Sequence, residues 1–556
     1  MKRSVIFLAC LTLALVCSVL ALSACGERER MEYSEGIVYQ RKTNYDLDGD
    51  LYYNYTVTGL DGHKGDTLVI PPVYNGMPVT HIAEGAFEGC TGITTVILPE
   101  TIASISESAF QRCEGLETVV IPDSVNSIGN SAFQDCKSLR QLSLPEGLTR
   151  IGVEAFQGCE RLESVTIPKS VRVIDKRAFA DCEALRSLTL SEGTTTIRTQ
   201  AFQNCKNLQN FSFPAGLITV ESRAFYGCES LTRLHIPKSV TTIGAGAFAA
   251  CTALSSLSVE RGNPNFYVEG NCLIGIYDKW TNLVQLQGTI RVVLAGLNNS
   301  TIPNGVSVID DGAFQGRTKL QKLHLPASVT MIGKDAFLGC SGLVSITADG
   351  NSNYYAEGNC LIRTYENTRR LVLGCSQSVI PEGVTYIVHG AFSDCEELQS
   401  IHIPASVTAM DPGAFIGCKN LESFTVAEDN PAYYAEGNCL IEKLEDSAFP
   451  NTLVAGCKNS VIPNGVTRIA DYAFADCASL TAITIPETVL CISTRAFLNC
   501  TGLRSIVIPE SVNTIYADAF EGCTDFTVYC KCASRPSLWS YTAWPKETTV
   551  VWGYKD

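Results

Sequence analysis

From Phe87 to Phe248 an Ala-Phe pair returns every 23 residues without a slip. Fifteen such pairs sit in the same frame along a chain of 556 residues. Recurrence of that kind does not suit one closed core, and it points to stacked, near-identical units. Residues 139–162 form one unit, LRQLSLPEGLTRIGVEAFQGCERL. The frame is L-x-x-L-x-L-P-x-x-V-x-x-I-x-x-x-A-F-x-x-C.

Each part of the frame restricts the backbone. LxxLxLP reads as a short extended segment, stopped by a proline that cannot continue a ladder. The residues left over are too few for a helical crossover. They suit turns, with at most a short 3-10 segment around the Ala-Phe pair. One coil cannot bury its own apolar side chains, so coils must stack, with strands about 4.8 Å apart. The expected fold is a repeat solenoid. It has one long curved parallel β-sheet, with short turns or 3-10 segments on the other side. Phe156 and its equivalents should form an interior column, each contributing roughly 1.5–3 kcal/mol by burial.

Three passes lack AFxxC and read NPNFYVEGNCLI, NSNYYAEGNCLI and NPAYYAEGNCLI. They are longer, and predict hairpin-like excursions from enlarged coils near 260–303, 349–381 and 427–463. The array is expected over 76–526, after a linker and β cap at 25–75. A closing cap at 527–556 holds Trp539, Trp544 and Trp552. These tryptophans either cover the open apolar end or offer exposed aromatics to a glycan.

The frame LxxIxIPxSVxxIGxxAFxxCxxL resembles the BspA-like class of bacterial leucine-rich repeats, and the resemblance spans residues 33–556. The stretches YYNYTVTGLDG and YCKCASRPSLW resemble that class's N-terminal and C-terminal caps. The resemblance implies surface display and binding of other proteins or host matrix, without catalysis.

The N-terminus reads as a processing signal over 1–24. Lys2 and Arg3 precede an apolar run that ends in Leu22-Ser23-Ala24-Cys25-Gly26. That ending resembles a bacterial lipobox, which implies lipidation of Cys25 and anchoring to the cell envelope with the protein exposed outside. Two or more acyl chains suffice for stable anchoring. An uncleaved transmembrane anchor is the alternative. The formal charge of −15 argues against a broad nucleic-acid footprint.

Fourteen of the fifteen AFxxC slots hold Cys, and the other holds Arg317. Metal sites need ligands that converge on one point, whereas equivalent residues of stacked coils run in a line. Buried free thiols are expected, with scattered inter-coil disulfides as the alternative and neither metal nor cofactor. Cys360 and Cys375 bracket one excursion and Cys439 and Cys457 another, which makes both pairs possible disulfides. In the first excursion Leu297 stands in the corresponding place, beside an unpaired Cys272.

The exposed strand position between the two last apolar residues holds Ser143, Thr166 and Thr189, and also His235, His324 and His402. With Arg233 and Lys322 these residues form a possible ligand-contact face; the alternative is ordinary exposed strand residues. Binding through the histidines would change between about pH 5 and 7.5. Asp46-Leu47-Asp48-Gly49-Asp50 resembles the start of a calcium loop but lacks its later ligands, and reads better as a hairpin turn. The expected function is a lipid-anchored surface protein that binds a protein ligand, such as host matrix or a cell-surface protein. A structural envelope spacer is the alternative. No convergent catalytic constellation suggests an enzyme.

Overall fold

The computed structural model describes residues 33–45, 51–209, 211–278, 289–366, 368–443 and 448–555. The signal segment, Cys25 and the Asp46–Asp50 turn lie outside the described residues. The chain divides after Leu185 into two compact units, and the division falls within the repeat array.

In the first unit each coil contributes to three backbone ladders. The LxLP segment supplies the first: Gln141 pairs in parallel with Thr118 on one side and Ser164 on the other. Along Ser164–Ile167 exposure alternates strictly, with Val165 and Ile167 buried. The V-x-x-I segment supplies the second. Arg150–Ile151 is a short strand paired with Ser127–Ile128, and Ile151 pairs onward with Ile174. The third runs through the corner, where Phe133 N–H donates to the Ala155 carbonyl and Phe156 N–H to that of Ala178, both at 2.8 Å.

The corner is built of turns, and no helix occurs among the described residues. Cys159 N–H closes back on the Phe156 carbonyl at 3.3 Å. Glu154 and Gly158 on either side are left-handed, with φ of 59° and 71°. The chain thus reverses within a few residues, and Phe156 is left fully buried. Its ring stacks on Phe133 and Phe179, each at 5.3 Å, with planes within 7°. These are favourable offset-stacking distances, reached because the coil spacing is nearly the ring spacing.

Both strand ladders begin in the N-terminal segment. Leu51–Leu60 pairs antiparallel with Ile37–Tyr45 and parallel with Met77–Ile82. Thr67–Val69 pairs with Thr95–Ile97 to open the LxLP ladder.

The second unit contains regular coils and the three enlarged ones. In the first enlarged coil Phe266–Glu269, Cys272–Tyr277 and Ile290–Gly296 form an antiparallel meander. Its last strand joins the second ladder by pairing with Val308–Ile309. The meanders beginning at Tyr354 and Tyr433 do the same. Between them the LxLP ladder is divided into two-stranded pieces, such as Lys322–Leu325 with Ser345–Ala348.

Glycine is needed where a meander passes over the phenylalanine column. A Cβ on Gly296, Gly374 or Gly456 would overlap the ring of Phe314, Phe392 or Phe474. Their N–H groups donate to the carbonyls of Ala313, Ala391 and Ala473, so they replace the phenylalanine N–H of a regular coil.

The C-terminus ends the array by imitating one more coil. Phe520 N–H donates to the Ala543 carbonyl at 2.8 Å, which puts Trp544 in the phenylalanine slot. Thr527–Cys530 and Thr549–Trp552 extend the strand ladder. Trp539 is 2% exposed, and its Nε1–H donates to the Val512 carbonyl. Trp544 and Trp552 pack half-buried against the same apolar cluster.

Candidate binding surface

The cysteine column is built into the corner ladder. Cys136 N–H donates to the Phe133 carbonyl, and Cys159 of the next coil donates its thiol to the same oxygen at 3.4 Å. The arrangement recurs at Cys113, Cys136 and Cys182 in the first unit, and at Cys251, Cys340 and Cys500 among others in the second. Ala or Val would fill this slot but supply no donor, which gives cysteine a role here beyond volume. Every described cysteine is a free thiol. Burial makes ionisation costly and pushes the Cys113 thiol up to about 12 and that of Cys523 to about 11.

Nucleophilic attack needs the exposed thiolate. In the native protein at pH 8, iodoacetamide is therefore expected to label half-buried Cys90 and Cys532 first. The column from Cys113 to Cys182 should react only on unfolding. Peptide mass spectrometry reads the order, and labelling of Cys159 at the rate of a free thiol would contradict the packing.

Arg317, the one departure from the column, is buried, and its Nη1 donates to the carbonyls of Cys251 and Thr252 at 2.7 and 3.1 Å. The long side chain spans the place where the first enlarged coil has no corner. Around Cys360 and Cys375 a serine intervenes. Ser378 Oγ sits 3.7 Å from the Cys375 sulfur and also hydrogen-bonds Cys360. Ser460 stands in the same way between Cys439 and Cys457. Each of the four sulfurs has carbonyl partners of its own.

On the strand face Ser143 and Thr166 are exposed in the first unit. Thr189, Arg233, His235, Lys322, His324 and His402 are exposed in the second. Each histidine pairs across one rung: His235 Nδ1 with Ser258 Oγ at 2.9 Å, and His324 and His402 with Thr347 and Thr425 at 3.0 Å. Thr347 Oγ1 also donates to the Leu323 carbonyl. His324 Nε2 lies 3.3 Å from Asp349 Oδ1, a contact strengthened when the ring is protonated. Each pair lies on the two strands just ahead of an enlarged coil.

The family described as BspA type leucine rich repeat region, in six copies, matches residues 75–186, 172–272, 294–366, 372–454 and 442–530. The chain belongs to the BspA-type leucine-rich-repeat family.

Among solved structures, a leucine rich cell surface protein from Faecalibacterium prausnitzii A2-165 is 29% identical, with a TM-score of 0.50, over 72% of this chain and 95% of its own. A leucine-rich repeat protein from Bacteroides ovatus is 23% identical, with a TM-score of 0.42, over 89% and 98%. The T. pallidum leucine rich repeat protein is 29% identical, with a TM-score of 0.31, over 38% and 87%. No curated protein matches the chain.

A BspA-type array is a repeat scaffold for protein interaction, and this one carries a clamp that the sequence reading missed. Asn430 donates from Nδ2 to the carbonyls of Pro404 and Val407, and its Oδ1 accepts from the N–H groups of Ala432 and Tyr433. Asn263 makes the same four bonds before its meander, and Asn351 does so with the Ala327 carbonyl in place of the proline's. The signal was the Asn that opens NPNFY, NSNYY and NPAYY, three times in one place. Among the described residues no group of three or more His, Cys, Asp or Glu side chains is placed to hold a metal ion.

Proposed function

We propose that the protein is a lipid-anchored cell-surface receptor that offers its exposed strand face to a protein ligand, without catalysis. The observation that carries this reading is the thrice-repeated histidine–hydroxyl pair, held in register ahead of each enlarged coil. Main-chain ladders fix these side chains, so little freedom is lost when a partner docks. The likeness to a bacterial leucine rich cell surface protein supports an outer-surface location. The lipobox-like Leu22-Ser23-Ala24-Cys25 supports an acyl anchor at Cys25. In this reading 25–75 is linker and cap, 76–526 the array and 527–556 the closing cap.

A Cys25→Ser chain should lose lipid labelling, and a chain that starts at Gly26 should leave the membrane fraction. Applied to immobilised matrix and cell-surface proteins, it should bind one of them saturably. Replacing His235, His324 and His402 together by Ala should weaken that binding about tenfold or more. Binding that ignores this change removes the histidine face from the reading. Failure on every protein would favour the spacer. Binding only to polysaccharide would favour a glycan site at the C-terminal groove, where Tyr541 is 91% exposed beside Trp544.

A further inference from the structure

Each enlarged coil leaves a gap in the corner ladder, and the chain fills the three gaps differently. In regular coils the residue two before the phenylalanine donates its N–H to the next coil, as Arg223 does to the Ala245 carbonyl. Before an enlarged coil that acceptor is missing. In the first gap the orphaned N–H belongs to Gly246, and the buried Asp310 carboxylate accepts it at 2.7 Å. Tyr277 folds across Gly275 to reach the Ile243 carbonyl, and Arg317 completes the plug. In the third gap the corner is bridged two residues after the phenylalanine instead, where Gly417 N–H bonds to the Ala475 carbonyl, and Tyr472 packs against His389.

The second gap has none of these. Val388 stands where Asp310 stood, Cys395 replaces Arg317, and Tyr365 is 50% exposed instead of folded in. Arg363 replaces Gly275, where any Cβ would meet the folded-in ring of Tyr277. The result is a cavity of about 260 Å³ lined by Asp335, Phe337, Tyr354, Arg363, Val388 and His389 among others.

Its charges are unequally matched. Asp411 is engaged by the Tyr386 hydroxyl and by His389 N–H, and Lys334 lies 3.9 Å from Asp335. The Arg363 guanidinium lies 5.9 Å from the Tyr354 ring and 6.0 Å from that of Tyr365. Among the described residues it has no carboxylate partner. Asp335 N–H, the counterpart of Gly246 N–H, also meets no protein acceptor among them.

We propose that this cavity is a binding site for a carboxylate group, which takes beside Asp335 N–H and Arg363 the place that Asp310 fills in the first gap. A backbone N–H and a guanidinium on residues that line one recess suit a planar two-oxygen anion. The volume is at the lower end for ligand sites, so the group belongs to a molecule of amino-acid or sugar-acid size, or to an acidic side chain of a protein segment. The site uses the corner side of the coil and does not depend on the strand face.

The test titrates the full chain by calorimetry with L-malate, D-glucuronate and the tripeptide acetyl-Gly-Glu-Gly-amide. At least one should bind, and binding of the tripeptide alone would assign the carboxylate to a protein segment. Arg363→Gln should weaken the interaction about tenfold or more. Val388→Asp should abolish it by supplying the chain's own carboxylate, with the circular dichroism spectrum unchanged. Lys322→Gln on the strand face should leave it intact. No binding by any of the three probes, or equal binding to the Arg363→Gln and Val388→Asp chains, overturns the proposal.

Discussion

Raising the pH from 8 to 10 is expected to destabilise the first unit by several kcal/mol. The cause is the thiol column. Cys113, Cys136, Cys159 and Cys182 are buried, and burial holds each proton more tightly than in the unfolded chain. The folded value is thus the raised one. Its contribution is complete below the ordinary thiol value of 9.0 and is lost as pH climbs toward about 12, the value for Cys113. At pH 10 each such thiol should have lost on the order of 1–2 kcal/mol. Four together come to about 5–6 kcal/mol, comparable to the whole stability of many domains, about 5–15 kcal/mol. Tyr39, pushed up to about 12 by burial, acts in the same direction. Urea midpoints at pH 8, 9 and 10 read the effect. A Cys136→Ala, Cys159→Ala chain should lose about 3 kcal/mol less over that interval. Parallel curves for the two proteins would mean that these thiols do not keep their protons in the fold.

Asn430→Ala should cost roughly 3–5 kcal/mol, as much as emptying a large core side chain. Asn430 is 2% exposed, and one amide satisfies four backbone groups. Truncation orphans two carbonyls and two N–H groups where the chain leaves a regular coil for the meander at Tyr433–Glu436. Asn430→Asp keeps the shape but loses both donors and buries a charge, so it should be at least as harmful at neutral pH. Amide exchange localises the damage: Ala432, Tyr433 and the paired strand Cys439–Glu442 should lose protection, while Phe497 and Phe520 keep theirs. Uniform loss across the second unit would show that the amide does not act locally.

Much of this was legible in the residues. A strict period of 23 fixes equivalent positions, and Leu142, Phe156 and Cys159 fall in the interior because burial repeats with the period. The second ladder was harder to see. Arg150–Ile151 is only two residues long, too short for an alternating pattern to show. The thiol–carbonyl bonds of the column depend on a distance between coils that a one-dimensional reading does not contain. Ser378 between Cys360 and Cys375 was missed for the same reason, since a hairpin drawn from sequence puts the cysteines opposite each other but does not say what lies between. The cavity beside Arg363 appears only when three gaps are compared side chain by side chain. Its sequence trace is three single differences, Val388, Cys395 and Arg363, each unremarkable alone.

The three ladders of a regular coil also decide how the chain can fold. Their rungs join residues about one coil apart, as Gln141 joins Thr118, Ile151 joins Ile128 and Phe156 joins Ala178. Closing a loop of that length costs the same small entropy wherever it is done, so no long-range closure has to precede the rest. Structure can then start at any pair of neighbouring coils and grow outward, and added coils lengthen the protein without slowing its first step. The meanders are the exceptions, since each must form its own antiparallel strands before the next corner has anything to stack on. Growth should pause there, which makes these three places the ones where a half-built array waits.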